Sequence, residues 1–297
     1  MIQYVTRRLV QAIPIFFGIT LLSYALMLAA PGGPVGALTF DPRMTARERQ
    51  AIAARLGVND PFVIQYLRWL VGDDWMRFDT NGDKIADQAF LLPLDADGDG
   101  EPEPPAERRG ILRGDFGRSF FQRRPVTDVI FERVPATLEL GFTSLVVSLV
   151  IGLPIGILAA VKRGGRFDSF TRILAVVFNA IPVFWLGLIL ILIFGSKLAI
   201  LPMGGRCETT LTGGCPPLYD RFSYIILPMI VLATSGIAGF SRLMRASMLD
   251  VISQDYVRTA AAKGLSQRVV WFKHAARNAL IPIATFLGPA ITLVLSG

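Results

Sequence analysis

The sequence predicts an all-α polytopic membrane protein, and three observations carry that prediction. Five long runs lack any charged residue, basic residues gather at alternate ends of those runs, and the bulk composition is apolar. Of 297 residues, 52% are hydrophobic and 18% charged, with a mean hydropathy of +0.50. A helix crossing the hydrocarbon core needs about 20 apolar residues at ~1.5 Å each. Leu9–Ala30, Leu140–Val161, Ile173–Gly195, Phe222–Ser241 and Ala279–Gly297 have 22, 22, 23, 20 and 19 residues, and none contains Asp, Glu, Lys or Arg. Buried helices of a soluble protein do not avoid charge over such lengths five times in one chain. The composition excludes disordered, collagenous and coiled-coil chains. Two cysteines exclude a disulfide framework, and one histidine leaves little room for His-based metal catalysis.

Arg7 and Arg8 precede the first run. A secretory signal has an apolar region of only ~7–15 residues, so residues 1–30 read as an uncleaved anchor. Orientation follows from basic residues near the run ends. Lys162, Arg163, Arg166 and Arg172 fill the second gap. Arg242, Arg245, Arg258, Lys263, Arg268, Lys273 and Arg277 fill the fourth, against Asp250 and Asp255. Residues 31–139, by contrast, hold 14 basic and 18 acidic residues. One zigzag with a cytoplasmic N-terminus satisfies all five runs. The net charge of +7 is thereby read as an orientation signal and not as a nucleic-acid footprint.

The extracytoplasmic segment 31–139 comes next. Thr45-Ala46-Arg47-Glu48 has the form of a capping box and predicts a helix through Ile52 to Leu56, stopped at Gly57. Asp60-Pro61 opens a second short helix carrying Phe62, Val63, Tyr66, Leu67 and Leu70. An acidic, Pro/Gly-rich insert, 73–111, follows. Within it Asp79, Asn81, Asp83 and Asp87 recur 16 residues later as Asp95, Asp97, Asp99 and Glu103. Alternating oxygens around a glycine turn suit Ca²⁺. The EF-hand pattern then fails, because Ala106 stands at position 12 and Pro102, Pro104 and Pro105 forbid the flanking helix. A calcium turn and a solvated acidic loop both fit.

Residues 140–297 form the expected core. Pro154, Pro182, Pro228 and Pro282 each permit a kink in a separate run. Asn179, Thr234 and Ser235 are polar residues within runs, expected in the bundle interior, where they line a path or pack helices. No charge within a run marks a proton or ion pathway. Cys207 and Cys215 lie together on the outer side, where either a disulfide or two free thiols fits.

The inner segment 242–278 is the most informative. The fourth helix is expected to run on through Leu243, Met244, Ser247 and Met248. A short helix follows at Asp255–Lys263, rich in the strong helix former alanine. Gly264 breaks it, and Ser266 starts the next. This exposed elbow fits a groove on a partner protein or an anionic lipid surface. The chain contains no Gly-x-x-x-x-Gly-Lys-[Ser/Thr] loop to hold ATP phosphates in the usual way.

Asp255-Tyr256-Val257-Arg258-Thr259-Ala260-Ala261-Ala262-Lys263-Gly264-Leu265-Ser266, with His274 to Pro282, resembles the cytoplasmic signature loop of binding-protein-dependent ABC importer permeases. Arg258 stands where the general pattern has glutamate, and Thr259 where it has its first alanine. The wording is that of the dipeptide/oligopeptide and nickel branch, specifically its B-type subunit. Tyr4–Leu9, Gln65–Trp69, Leu112–Ser119, Arg133–Leu140 and Ile181–Gly187 extend the likeness over most of the chain.

The resemblance implies a MetI-like helical bundle with five of the six expected transmembrane helices, hence a C-terminally incomplete sequence. It implies a peptide-importing permease subunit, not an enzyme, in a bacterial or archaeal cell (inner) membrane. Its implied partners are a second homologous permease, two cytoplasmic ABC ATPases, an extracytoplasmic solute-binding protein and membrane lipid, with no nucleic acid. No cofactor is expected on this chain, since ATP binds the partner; Ca²⁺ enters only under the calcium-turn reading of the insert. Arg258, Thr259, Ala260, Ala261, Lys263, Gly264 and Leu265 are the expected ATPase contacts. A nickel permease and a membrane-anchored calcium-binding surface protein are the competing readings.

Overall fold

A computed structural model describes residues 2–30, 45, 61–72, 77–78, 88–89, 110–119, 122, 124–207 and 215–296. The expected helix at 46–57 and all seven calcium candidates (Asp79, Asn81, Asp83, Asp87, Asp95, Asp97 and Asp99) lie outside the described residues. The chain divides into two units, residues 1–131 and 132–297.

In the first unit, α1 (Ile2–Ala29) is a single helix with Pro14 inside it. Tyr24 is its one buried residue. The Tyr24 ring meets Phe62, Tyr66 and Trp69 of α2 (Phe62–Val71) at centroid separations of 6.0, 5.9 and 5.4 Å. The Thr20 hydroxyl and the Tyr66 phenol share a hydrogen bond of 2.9 Å. The helix predicted to open at Asp60-Pro61 therefore forms, and its spaced aromatics pack it against α1. Gly72 ends α2 with φ +96°. Gly110, at φ +77°, lies against the backbone of Val71 and Gly72 with no room for a Cβ. The two edges of the acidic insert thus meet. Within it, β1 (Arg77–Phe78) pairs antiparallel with β2 (Gln88–Ala89).

In the second unit, α3 (Val126–Val161, of which residues 132–161 belong to this unit) carries the second run without a break, although Pro135 and Pro154 lie inside it. With no water in the hydrocarbon core to receive freed backbone groups, a continuous helix is favoured even through proline. The third run bends at its proline. It is two helices, α4 (Arg166–Ala180) and α5 (Val183–Leu190), the latter continued by a π-turn over Ile191–Lys197, and the pair is bent by 97°. The break falls at Ile181-Pro182. Proline disfavours the helical conformation of the residue before it, and Ile181 has ψ 124°. Pro228, by contrast, sits inside the unbroken α6 (Phe222–Ile252).

The helix α6 runs 11 residues past Ser241, as the sequence predicts. It leads through Ser253-Gln254 to α7 (Asp255–Ala262). Then α8 (Gln267–Val269), a π-turn over Val270–Ala275 and α9 (Ala276–Ala279) lead to α10 (Ile281–Ser296). Pro282 falls in the first turn of α10, where its missing N–H costs nothing.

The helices α3 and α6 pack along a stripe of small residues. Ser144, Ser148, Gly152, Gly156 and Ala160 recur every fourth residue of α3, and all are buried. Four residues apart is one face of a helix. The Ser148 hydroxyl donates to the carbonyls of Ser144 (2.7 Å) and of Ala233 in α6 (3.2 Å). A Cβ on Gly156 would stand 2.6 Å from the Ser241 carbonyl oxygen and 2.7 Å from the Met244 Cβ. Small residues let two backbones approach where lipid supplies no hydrophobic drive for association.

Candidate functional site

The C-terminal end of α6 rests on the unit's hydrophobic core. Met244, Met248, Val257, Ala260, Val270, Ala275 and Ile283 form that cluster with Ile157 and Phe240. Val257 and Ala260, three residues apart on α7, are the buried positions of the short helix. Among the seven expected ATPase contacts, the structure therefore turns Ala260 inward, at 6% exposure. Its methyl seats the helix and is not offered to a partner. Arg258, Thr259, Ala261, Lys263, Gly264 and Leu265 face outward together. Tyr256 and Leu265 are each 41% exposed and add apolar surface on either flank of the turn.

The turn itself is glycine chemistry. Gly264 has φ +77° and open space where a Cβ would go. Its N–H donates to the Ala261 carbonyl at 3.0 Å, and Lys263 N–H to the Thr259 carbonyl at 3.1 Å. The residue is required by backbone conformation and not by crowding. Ser266 occupies the start of α8 through its backbone, since its carbonyl accepts from Val270 N–H, while its side chain makes no capping bond.

Arg245, next in chain to the buried Met244, belongs to an ion pair. Asp168, in the first turn of α4, is 1% exposed. Arg245 of α6 grips it with two bonds, Nε to Oδ1 at 2.6 Å and Nη2 to Oδ2 at 2.8 Å. Gly164 N–H donates to Oδ2 at 3.0 Å, so the same carboxylate closes the glycine turn between α3 and α4. Arg172 adds a charge at 3.6 Å. These groups lie outside the uncharged runs. Above all the Arg245 fork, and then the Gly164 donor and the charges of both arginines, hold the carboxyl at about 2 against the opposing effect of burial. A signal exists in the sequence: Asp168 is the one acid in the basic gap 162–172.

At the other end of the unit, Glu139 accepts from Arg206 Nη2 at 3.1 Å and from Arg221 Nη2. Arg221 Nε also donates to the Pro216 carbonyl at 2.8 Å. Cys207 and Cys215 form a disulfide with Cα atoms 5.6 Å apart, which decides between the two thiol readings. These contacts join α3, at the residue before its uncharged run, to the gap before α6, two places that the charge pattern assigns to the same side.

An apolar cavity of about 470 Å³ opens next to this cluster: Leu140 and Gly205 line it, with Val183, Phe184 and Gly187 of α5 and Leu227 and Val231 of α6. Asn179, Thr234 and Ser235 do not line it. Asn179 and Ser235 are exposed on the chain's surface. Thr234 is half-buried, its hydroxyl donating to the Ile230 carbonyl at 2.6 Å. The three polar candidates are therefore not gathered in one site. Among the described residues, no three His, Cys, Asp or Glu side chains converge as for a metal ion.

Residues 152–297 match the family described as binding-protein-dependent transport system inner membrane component, and residues 1–80 match the N-terminal region of such membrane components. The chain is similar to the oligopeptide transport system permease protein AppB of Bacillus subtilis, with 36% identity over 298 residues covering all of this chain and 81% of that protein. It is 32% identical over 315 residues to the dipeptide transport system permease protein DppB of Escherichia coli K12, covering all of this chain and 82% of that one. It is 33% identical over 312 residues to the di/tripeptide transport system permease protein DppB of Pseudomonas aeruginosa, again covering 82% of the relative.

Proposed function

The chain belongs to the binding-protein-dependent transport system inner membrane component family, and from that premise we propose how its geometry serves import. It is a permease subunit of a peptide-class ABC importer; it is not an enzyme, and ATP is hydrolysed by a separate subunit. It is membrane-embedded and multi-pass, and it works with an ATPase and a binding protein. The nickel and calcium-surface-protein readings are not favoured by these relatives.

The finer arrangement is our reading. The N-terminus and the 242–278 elbow face the cytoplasm, because the basic residues gather there. A second homologous permease pairs with this chain, and each permease seats on one of two ATPases. Arg258, Thr259, Ala261, Lys263, Gly264 and Leu265 form the docking face. The single observation that carries this is the elbow's construction: one face of α7 is anchored by Val257 and Ala260 in the core, and the opposite face is bare around a glycine turn. A bare, rigidly backed face suits a groove that must push and pull. Asn179 and Ser235 are polar and uncovered within runs, so they face the solute path or the second permease, since bare lipid is unfavourable for them.

Gly264→Asp tests the reading. The site has space for the new side chain but not the backbone freedom, and the substitution puts an anion among Arg258 and Lys263. We expect membrane insertion to be unchanged, ATPase capture to be lost and peptide uptake to be abolished. Normal ATP-coupled uptake in that variant refutes the docking role.

A further inference from the structure

The docking elbow moves the solute path only if something stiff joins the two. Three contacts lie in series. The residues Val257 and Ala260 of α7 sit in the same cluster as Met244 and Met248 of α6, both of which are fully buried. Arg245, next in chain to Met244, grips Asp168 through two parallel bonds of 2.6 and 2.8 Å. Asp168 stands in the first turn of α4, which continues past the 97° bend into α5, and α5 forms one wall of the apolar cavity whose other wall is α6.

A pure packing contact between α4 and α6 can slide. A planar guanidinium forked onto a carboxylate cannot slide without losing both bonds, so it resists shear as well as separation. The Gly164 N–H on the same carboxylate ties the strut to the turn that hinges α4 from α3. That turn carries φ +76° at Gly164, so α4 is held at both its hinge and its clamp.

We propose that Asp168 and Arg245 are positioning residues for transport, forming the strut that carries displacement of the Asp255–Leu265 elbow into the bent arm Arg166–Lys197. This rests on the importer reading above. Neither residue touches solute or nucleotide. Their loss leaves the ATPase docked and hydrolysing while the arm no longer follows.

The test uses the complete permease–ATPase complex with its binding protein in proteoliposomes, reading peptide taken up per ATP hydrolysed. Three variants are compared: R245K, which keeps the charge and loses the fork; D168N; and D168N/R245Q, which leaves no unpaired buried charge. Expected are ATPase capture and hydrolysis at the native level in the double variant, with peptide per ATP reduced about ten-fold in D168N and D168N/R245Q and less in R245K, within the usual range of coupling between sites. The inference is overturned if the double variant assembles and keeps the native ratio. It is equally overturned if uptake and hydrolysis fall together at constant ratio, or if none of the three assembles, because the pair is then only structural. Failure of the importer reading looks different: the unaltered complex itself takes up no peptide.

Discussion

Gly156→Ala is the sharpest probe of how this unit is held together. A methyl at that position would stand 2.6 Å from the Ser241 carbonyl oxygen, 2.7 Å from the Met244 Cβ and 3.1 Å from the Arg245 backbone nitrogen. Two of these are backbone atoms and the third is a Cβ, so no side-chain rotation relieves the clash. Restoring an ordinary contact of about 3.4 Å would part α3 and α6 by roughly 0.8 Å. Overpacking of this kind costs about 1–3 kcal/mol, and it outweighs the gain of at most about 1 kcal/mol from replacing glycine in a helix. Gly239 lies on the same α6 with nothing within 4 Å of its would-be Cβ, and Gly152 is intermediate, with its nearest atom at 3.1 Å. We therefore expect thermal unfolding of the detergent-solubilised protein to fall clearly for Gly156→Ala, slightly for Gly152→Ala, and not at all for Gly239→Ala. Because the clash reaches Arg245, Gly156→Ala is also expected to lower peptide uptake per ATP. Equal melting temperatures across the three variants, or the largest loss at Gly239, refute the close-approach argument.

Two further outcomes follow from charge and covalent structure. Asp168 has its folded carboxyl at about 2 against an ordinary 3.8, so its contribution is fully present above about pH 5 and is lost as pH falls through 2; the stability gap between the native chain and D168N should shrink by about 2 kcal/mol across that window, and a gap that stays constant with pH contradicts the assignment. The Cys207–Cys215 bond closes a short loop beside Arg206, one partner of Glu139; loops of that size are stabilised by about 2–3 kcal/mol, so reductant should lower the melting temperature of the native chain but not of C207S/C215S, and alkylation of both cysteines in the denatured, unreduced protein contradicts the bond.

Features that depend on a residue and its near neighbours were legible in the chain before any fold was known. Chain class followed from the absence of charge over Leu9–Ala30, Leu140–Val161 and Phe222–Ser241, because the cost of a charge in hydrocarbon is paid locally. The extension of α6 past Ser241, the stop at Gly264 and the outer helix from Pro61 were legible for the same reason, being matters of local propensity and backbone freedom. Ile173–Gly195 reads as one apolar run with a proline inside it, and only the packing of α4 and α5 decides that the Ile181-Pro182 joint opens to 97° instead of a shallow kink. The inward turn of Ala260 was equally hidden, since which side of a short alanine-rich helix meets the core depends on Met244 and Met248, which are contributed by another helix.

The small-residue stripe shows both sides. Its four-residue period from Ser144 to Ala160 stands in the sequence, but its partner does not, because close backbone approach is a relation between two helices. The Asp168–Arg245 clamp joins residues 77 positions apart, and no local pattern encodes such a pairing. Tertiary structure alone decided which charge neutralises which, and so gave the elbow a stiff connection to the bent arm.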